Sequence, residues 1–284
     1  MKNTILILGK NGMVGNATYK YLDLNQSLNV YGTTRKSQSQ LKFSANKVED
    51  DFRKIIKKYE KINYVINCIG IKNLDHTDKK QMTEANSLLP KKLDTLANKY
   101  KFKVIHISTD AVFHPSSSKV IETDKPNPID IYGLTKFLGE ANLKNTICIR
   151  TSLIGFSPDK KTGLIEWTKN SRKNIDGFSN QKWSGCTALQ FAKLCEFIIT
   201  HNNFVRLRKI SGVFHFAPLG PTTKFELVSK IAKLTNKTIK VSRSNSNNKI
   251  TRYLSSKYFD NKFLKQYTTD LNMALKELIE FENL

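Results

Sequence analysis

Short continuous apolar runs alternate with segments of helical period along the first half of the chain. The apolar runs, which are typical of strands buried on both faces of a parallel sheet, cover residues 4–8, 29–33, 64–69, 103–108 and 146–150. The helical periods between them cover residues 13–22, 50–59, 84–100 and 132–143. This alternation predicts a Rossmann-type, doubly wound parallel α/β sheet with right-handed crossovers.

The pattern is looser after residue 150 and predicts a second, smaller part of the molecule. Helices are expected at 164–170, 188–200, 224–234 and 271–281, with strands at 212–216 and 238–241. The stretch 176–185 is rich in turn residues, and 242–248 has the composition of a polar surface loop. We predict a Rossmann domain from 1–154 plus about 187–219, and a C-terminal α/β subdomain from about 155–186 plus 220–284.

Composition and charge exclude several classes of protein. The formal net charge of the 284 residues is +23, but the basic residues are dispersed, which favours a solvated surface over a nucleic-acid footprint. No apolar stretch approaches the roughly 20 residues of a membrane span, and the N-terminal run is too short for a signal peptide. The four cysteines form no C-x-x-C pair, which favours buried thiols over disulfides or a metal site. We expect a cytoplasmic protein with no metal, membrane or nucleic-acid partner.

A glycine-rich turn follows the first apolar run. Gly9, Gly12 and Gly15 stand between that run and a helical segment, with Asn11, Met13 and Val14 among them. Glycines let the backbone turn tightly and approach a pyrophosphate, and the following helix N-terminus favours negative charge. The turn therefore predicts a dinucleotide site.

The end of the second apolar run indicates which dinucleotide is bound. An acidic residue there would favour NAD, because it can accept hydrogen bonds from the adenosine ribose. The sequence instead reads Thr33, Thr34, Arg35 and Lys36. Two hydroxyls and two cations suit a ribose 2′-phosphate, which predicts NADPH as the cofactor.

Tyr132 and Lys136 stand four residues apart and share one face of a predicted helix. A tyrosine with a pKa near its reference value of about 10 can donate a proton, and a neighbouring ammonium would lower that pKa and stabilise the phenolate. The preceding strand ends at Ser108, Thr109 and Asp110. A hydroxyl beside a phenol and an ammonium predicts general acid chemistry on a carbonyl group.

Together these segments resemble the extended short-chain dehydrogenases/reductases and, more narrowly, the dTDP-4-dehydrorhamnose reductase family. The segments that carry the resemblance are the glycine turn, Asn67-Cys68-Ile69-Gly70, Asn86, Ser108-Thr109-Asp110-x-Val112-Phe113 and Tyr132-Gly133-x-x-Lys136. Ala111 and Leu153 depart from the rhamnose pattern, in which a Tyr and a Trp are usual. The segment 180–187 is closer to reductases of surface-polysaccharide gene clusters.

The resemblance implies a role for each candidate residue. Thr109 would hydrogen-bond the substrate carbonyl, Tyr132 would protonate it, and Lys136 would contact the nicotinamide ribose. Asn86 would support the proton relay, while Cys68, Ile69 and Gly70 would join the glycine turn, Thr34 and Arg35 around the cofactor. The expected substrate contacts are Thr109, Asp110, Ala111, Trp183, Thr187 and Arg252, with Arg252 meeting the substrate diphosphate.

The implied function is NADPH-dependent reduction of a dTDP- or UDP-linked 4-keto-6-deoxyhexose in deoxysugar or surface-polysaccharide biosynthesis. Two alternatives stay open at this point. One is a bifunctional 3-epimerase/4-reductase or a 4-epimerase of a UDP-(acetamido)sugar. The other is a non-catalytic NADP-binding regulatory subunit. The oligomeric state is also open, with a homodimer as one option.

Overall fold

The structure, a computed structural model, describes residues 2–35, 41–59, 61–72, 78–172, 174–236 and 238–284. Its strands are β1 (Asn3–Leu8), β2 (Leu28–Gly32), β3 (Tyr64–Asn67), β4 (Lys103–Thr109), β5 (Lys119–Val120), β6 (Thr146–Thr151), β7 (Leu153–Ile154), β8 (Ile175–Phe178), β9 (Lys182–Thr187), β10 (Val213–His215), β11 (Leu219–Thr223), β12 (Val241–Ser244) and β13 (Tyr253–Leu254).

The helices follow the same chain order. They are α1 (Met13–Asp23), α2 (Val48–Lys58), α3 (Lys79–Thr83), α4 (Leu89–Tyr100), α5 (Ile131–Glu140), α6 (Leu164–Asn170), α7 (Ala188–Ile199), α8 (Asn203–Ile210), α9 (Lys224–Thr235), α10 (Asn261–Leu264) and α11 (Leu271–Glu282). A π-helical turn at Glu84–Leu88 joins α3 to α4, and a 3₁₀ turn at Asp110–Val112 follows β4.

Six strands form one parallel sheet in the order β10-β6-β4-β3-β1-β2. The chain runs from β1 outward to β2 and then returns to the other side of β1 as β3. The strand order therefore reverses next to β1, and ligands of open α/β sheets bind outside the carboxyl ends of the strands at such a point. The predicted doubly wound parallel sheet is confirmed.

Helices cover both faces of the sheet, which explains why the strands are apolar throughout. Side chains alternate along β1, so that Ile5 and Ile7 enter one apolar cluster and Leu6 and Leu8 enter the other. The first cluster includes Phe191, Leu194, Phe204 and Leu207 from α7 and α8. The second includes Phe52, Ile55, Leu89, Leu93 and Leu96 from α2 and α4.

Three small sheets, formed mostly by the C-terminal half, accompany the large one. Their strand orders are β11-β9-β7, β12-β8 and β13-β5. Two expectations were wrong here. The turn-rich stretch 176–185 contains parts of β8 and β9, and the strand expected at 238–241 lies at Val241–Ser244, inside the predicted loop. β8 pairs with β12 from more than sixty residues away, a contact that a local pattern does not reveal. α8 was not predicted.

A third apolar cluster connects the C-terminal segments to the Rossmann part. It combines Leu271, Leu275 and Leu278 of α11 with Leu189 of α7 and Ala17 of α1. The boundaries of the two predicted domains stay a prediction. None of the helices in the described part of the chain has both the length and the apolar character that crossing a bilayer requires.

Candidate active site

The glycine turn brings backbone N–H groups to the carboxyl end of β1. Gly9 has a φ of +81°, and its carbonyl accepts a hydrogen bond of 3.0 Å from the Gly12 N–H. A Cβ on Gly15 would lie 2.2 Å from the Gly9 carbonyl oxygen, so that only glycine lets α1 begin this close to the turn. Gly12 caps α1 without a side-chain acceptor, and Met13 and Val14 begin the helix.

A cleft of about 490 Å³ opens in front of this turn. Its walls come from the segments after β1, β2 and β3 and from the end of α3 with the π turn. The lining residues are Gly9, Asn11, Gly12, Thr33, Thr34, Arg35, Phe43, Ser44, Ala45, Asn46, Cys68, Ile69, Gly70, Ile71, Gln81, Glu84 and Ala85. The structure thus brings together most residues predicted to bind the cofactor. The cleft also contains residues 43–46, Gln81, Glu84 and Ala85, which the sequence did not indicate.

The residues after β2 form one wall of the cleft. Thr34 is buried, and its Oγ1 has no hydrogen-bond partner among the described residues. Thr33 is fully buried, and its Oγ1 accepts a long hydrogen bond from the Gly9 N–H at 3.4 Å. Arg35 is exposed at the cleft wall. Lys36, also predicted near the cofactor phosphate, lies outside the described residues.

Tyr132 and Thr109 meet where α5 packs onto the end of β4. A Cβ on Gly133 would lie 2.2 Å from the Ala111 carbonyl oxygen, so glycine at this position lets the helix contact the 3₁₀ turn directly. The Thr109 side chain acts to lower the pKa of the Tyr132 hydroxyl, while the Thr109 hydroxyl itself donates to Asp110 Oδ1 at 3.2 Å. Thr109 also accepts from the Ala111 N–H at 3.2 Å and thereby caps the turn. The predicted proton donor and carbonyl-binding hydroxyl are therefore neighbours.

Burial, not the neighbouring lysine, dominates the acidity of Tyr132. Burial raises the pKa of Tyr132 to about 12; Thr109 opposes this rise, while Asp110 and Asp130 add to it. The expectation that the Lys136 ammonium lowers this pKa is wrong for this structure, because desolvation of the phenolate is the largest effect and Lys136 is not among the groups that shift it. Tyr132 is thus a neutral hydrogen-bond donor at neutral pH.

Lys136 is almost completely enclosed, one helical turn after Tyr132. Its Nζ donates to the Ile107 carbonyl oxygen at 2.6 Å and lies 3.4 Å from His106 Nε2. Burial lowers the pKa of Lys136 to about 8, although Glu140 acts in the opposite direction. A Cβ on Gly70 would lie 3.9 Å from this Nζ, which places Lys136 at the inner end of the cleft.

Asn86 lies in the π turn and is fully buried. Its Oδ1 accepts from the Ile71 N–H at 2.9 Å, and its Nδ2 donates to the Ile71 carbonyl at 2.8 Å and to Thr135 at 3.2 Å. These bonds hold the segment after β3 against α5. The side chain fixes the cleft wall, and its hydrogen bonds within the described part of the chain go to Ile71 and Thr135.

A buried ion pair lies one turn further along α5. Glu140 Oε2 and Arg150 Nη2 are 2.7 Å apart, and the two side chains are 3% and 5% exposed. Ser108 donates a further hydrogen bond to Glu140. The pair therefore connects α5 to β4 and β6 directly behind Lys136.

A second group of charges lies beside Thr109. Arg252 Nε donates to Asp110 Oδ2 at 3.1 Å, and Nη1 donates to the Phe113 carbonyl at 2.6 Å. Burial lowers the pKa of Lys224, and the cations Lys72 and Arg252 lower it further, whereas Asp110 raises it. Within the described part of the chain, the cations Lys72, Lys224 and Arg252 thus lie near the Asp110 carboxylate. Lys72 and Lys224 were not predicted, since nothing distinguishes them from the other lysines in the sequence.

Two predicted substrate contacts have other roles in the structure. Trp183 is buried in the third apolar cluster, and its indole N–H donates to Ser152 Oγ at 2.9 Å. Thr187 is fully buried and forms a capping box with Gln190 at the start of α7. Its hydroxyl is used by the helix, so we leave Thr187 out of the proposed substrate contacts. Ala111 remains at the partly exposed turn beside Thr109.

Comparison with known proteins gives a consistent result. The sequence model of the family described as RmlD substrate binding domain matches residues 1–279. Methionine adenosyltransferase 2 subunit beta of Danio rerio is 22% identical over 243 residues, covering 82% of this chain and 74% of that protein. The probable low-salt glycan biosynthesis reductase Agl14 of Haloferax volcanii is 22% identical over 244 residues, covering 80% and 79%.

Solved structures share the fold. A dTDP-4-dehydrorhamnose reductase from Bacillus anthracis, crystallised in complex with NADP, superposes with a TM-score of 0.76 at 18% identity. The match covers 99% of this chain and 98% of that one. The Rossmann-type sheet and the small C-terminal sheets are thus a known combination.

Proposed function

This chain belongs to the RmlD substrate binding domain family, and we propose that it is an NADPH-dependent reductase of a dTDP- or UDP-linked 4-keto-6-deoxyhexose. The observation that carries the proposal is the position of Tyr132 beside Thr109 at the end of β4, with the enclosed Lys136 one helical turn further along α5. A proton donor, a carbonyl-binding hydroxyl and a cation source are then close to one another, and Lys136 lies near Gly70 of the cleft wall.

The cleft residues fit NADPH. The glycine turn offers backbone N–H groups and a helix N-terminus to a pyrophosphate. The unpartnered Thr34 hydroxyl and the exposed Arg35 suit a ribose 2′-phosphate, since guanidinium and hydroxyl groups both bind phosphate oxygens. The B. anthracis protein of the same fold was crystallised with NADP. We therefore assign Gly9, Gly12, Thr34 and Arg35 to this cofactor.

NADPH supplies a hydride when bound, and the chain's own residues handle the oxygen. Thr109 holds the substrate carbonyl, and Tyr132 donates its proton to that oxygen as it becomes a hydroxyl group. The pKa of about 12 keeps Tyr132 protonated before the reaction. Burial, Asp110 and Asp130 disfavour the phenolate that remains, so the step requires a compensating cation, and we assign that role to Lys136.

The cations beside Thr109 support an anionic substrate. Among the described residues, Lys224 is acted on by the cations Lys72 and Arg252 and by the Asp110 carboxylate, which is paired with Arg252. A nucleotide-linked sugar carries a diphosphate, which such a group attracts and orients. The Haloferax relative is described as a glycan biosynthesis reductase. We place the reaction in deoxysugar or surface-polysaccharide biosynthesis in the cytoplasm, with the sugar and nucleotide to be found by experiment.

A second candidate function follows from the Danio rerio relative. That protein is a subunit of methionine adenosyltransferase, so the second candidate role for this chain is an NADP-binding subunit of another enzyme. The adjacent Tyr132 and Thr109 favour catalysis, because a binding subunit needs neither a proton donor nor an enclosed lysine.

The decisive experiment offers the purified protein NADPH with a panel of dTDP- and UDP-linked 4-keto-6-deoxyhexoses. The reductase is supported by a loss of NADPH absorbance together with a product about two mass units heavier than the substrate, because reduction adds two hydrogens. Thr109→Val should lower the rate, whereas Thr95→Val on the outer surface of α4 is the matched control. Tight NADPH binding without turnover on any member of the panel supports the subunit and contradicts the reductase.

A further inference from the structure

A buried chain of three polar side chains runs from β3 through β4 to Lys136. Asn67 and His106 are register partners on these neighbouring strands, and both are fully buried. Asn67 Nδ2 lies 3.0 Å from His106 Nδ1, and His106 Nε2 lies 3.4 Å from Lys136 Nζ. The proposed reaction assigns no role to Asn67 or His106.

Backbone geometry fixes the direction of these hydrogen bonds. The Ile69 N–H donates to Asn67 Oδ1 at 3.1 Å, which identifies that atom as the oxygen and turns the Nδ2 group towards His106. An amide nitrogen only donates, so Nδ1 of His106 accepts. A neutral imidazole carries one proton, which must then be on Nε2, the nitrogen that faces Lys136.

This tautomer determines which protonation form of Lys136 can hydrogen-bond with the ring. An ammonium group has three donors and no acceptor, so it would place N–H groups against the ring N–H. A neutral amine has a lone pair that accepts from Nε2, while one of its own N–H groups still donates to the Ile107 carbonyl. We propose that Asn67 and His106 are positioning residues that present a ring N–H to Lys136, so that the ligand-free protein favours the amine form of Lys136 over the ammonium form more strongly than water does.

The other titratable groups around Lys136 offer little to an ammonium. Glu140 faces it from α5, but the carboxylate is paired with Arg150 at 2.7 Å. The thiols of Cys68 and Cys148 face it from the end of β3 and from β6, and burial raises the pKa of both, so they remain uncharged. The lowered pKa of Lys136 agrees with this environment.

The protonation state of His106 agrees with a ring that accepts at Nδ1 and donates at Nε2. Burial and then Lys136 lower the pKa of His106 well below its ordinary value, so the ring is neutral. The Asn67 backbone raises the pKa of His106, which is the effect of a hydrogen bond from a proton on Nδ1. The side-chain contact of Asn67 is the one with hydrogen-bond geometry, and it places an N–H against Nδ1.

For the proposed reductase, the cation that supports the Tyr132 phenolate is then the form of Lys136 that Asn67 and His106 disfavour, and near and above pH 8 it forms by proton uptake at Lys136. Binding of NADPH, whose ribose hydroxyls are assigned to Lys136, would be coupled to that proton uptake. This consequence rests on the proposed function. The amine state itself concerns the ligand-free protein alone, and it can be tested without cofactor or substrate.

The test is NMR spectroscopy of the ligand-free protein labelled on its lysine ¹³Cε atoms and histidine ring nitrogens. The Lys136 signal is identified by its loss in Lys136→Arg. We expect the His106 proton on Nε2 and a Lys136 titration midpoint near 8. His106→Gln, which removes the ring N–H and offers an amide oxygen, should raise the midpoint by about one pH unit or more.

Two further variants make the result specific. Asn67→Asp places a carboxylate oxygen against Nδ1, which reverses the tautomer and should raise the midpoint in the same way. His215→Gln alters another fully buried histidine, which contacts Arg150 and Ser255, and should leave the midpoint unchanged. A proton on Nδ1, a wild-type midpoint near 10.5, or an unchanged midpoint in both His106→Gln and Asn67→Asp would overturn the proposal.

Discussion

Arg252 Nε lies 3.1 Å from Asp110 Oδ2, so an arginine of the C-terminal segment is bound beside the strand end that carries Thr109. The pairing of β13 with β5 brings this arginine into position. Because Asp110 follows Thr109 directly, the ion pair joins the proposed substrate-binding cations to the proposed catalytic hydroxyl.

Arg252→Ala should weaken substrate binding more than it slows the chemical step. Loss of one charged hydrogen bond to a diphosphate costs about 1.5–3 kcal/mol, which corresponds to a KM roughly ten times higher or more. Steady-state kinetics with the identified nucleotide sugar measure this effect. Arg243→Ala is the control, since Arg243 stacks on Phe225; equal KM values in both variants would remove Arg252 from the site.

Tyr132→Phe should abolish most turnover while NADPH affinity stays nearly constant. The substitution removes only the hydroxyl, and general acid catalysis contributes about 10²–10⁴-fold to a rate. Single-turnover measurements keep product release from obscuring the chemical step. Tyr100→Phe on α4 is the matched control. Reduction at the wild-type rate by Tyr132→Phe would show that another group donates the proton.

Arg35→Ala should reduce the preference for NADPH over NADH. One charge-assisted hydrogen bond to the 2′-phosphate is worth about 1.5–3 kcal/mol, and NADH lacks that phosphate. Dissociation constants for both nucleotides measure the preference. Arg53→Ala serves as the control, because Arg53 is 64% exposed on α2 and pairs with Asp50. An undiminished preference in Arg35→Ala would refute the phosphate assignment.

The stability contributed by Lys136 should rise with pH. Its pKa is about 8 in the folded protein against 10.5 ordinarily, so between these values the unfolded chain binds a proton that the folded protein lacks. Unfolding then becomes less favourable as the pH rises. Relative to Lys136→Met, the wild type should gain about 2 kcal/mol between about pH 7 and about pH 9.5.

Denaturant titration at several pH values measures this difference in the free energy of unfolding. The exposed Lys54 provides a control, since Lys54→Met should follow the wild type at every pH. A constant difference between the wild type and Lys136→Met would mean that burial does not perturb the lysine.

Glu140→Gln should strongly destabilise the fold. Removing one partner of a buried ion pair leaves Arg150 uncompensated and costs about 3–5 kcal/mol. Glu49→Gln breaks the exposed pair with Lys92 and should cost less than about 1 kcal/mol. Thermal and denaturant unfolding compare the two, and similar losses would contradict the structural role of the buried pair.

The features that the sequence predicted well are local. The glycine turn, the Tyr132–Lys136 spacing and the end of β4 each occupy a few consecutive residues whose pattern already indicates a shape. Thr187 was predicted to contact the substrate, whereas in the structure it caps α7. The sequence does not separate these two roles, because threonine serves in both capping boxes and substrate sites. The raised pKa of Tyr132 depends on burial by the rest of the chain, and Lys224 gains its significance from Arg252 and Asp110, which only the folded chain brings near it.

The π turn at Glu84–Leu88 has a consequence for how this chain is compared with its relatives. Such a turn holds one residue more than an ordinary helical turn, and one residue corresponds to about 100° of rotation. Gln81 and Ala85 line the cleft, and Leu89 and Leu93 belong to the second apolar cluster. A relative with a regular helix here matches this chain only if the alignment carries a one-residue gap inside the helix, where gaps are ordinarily avoided.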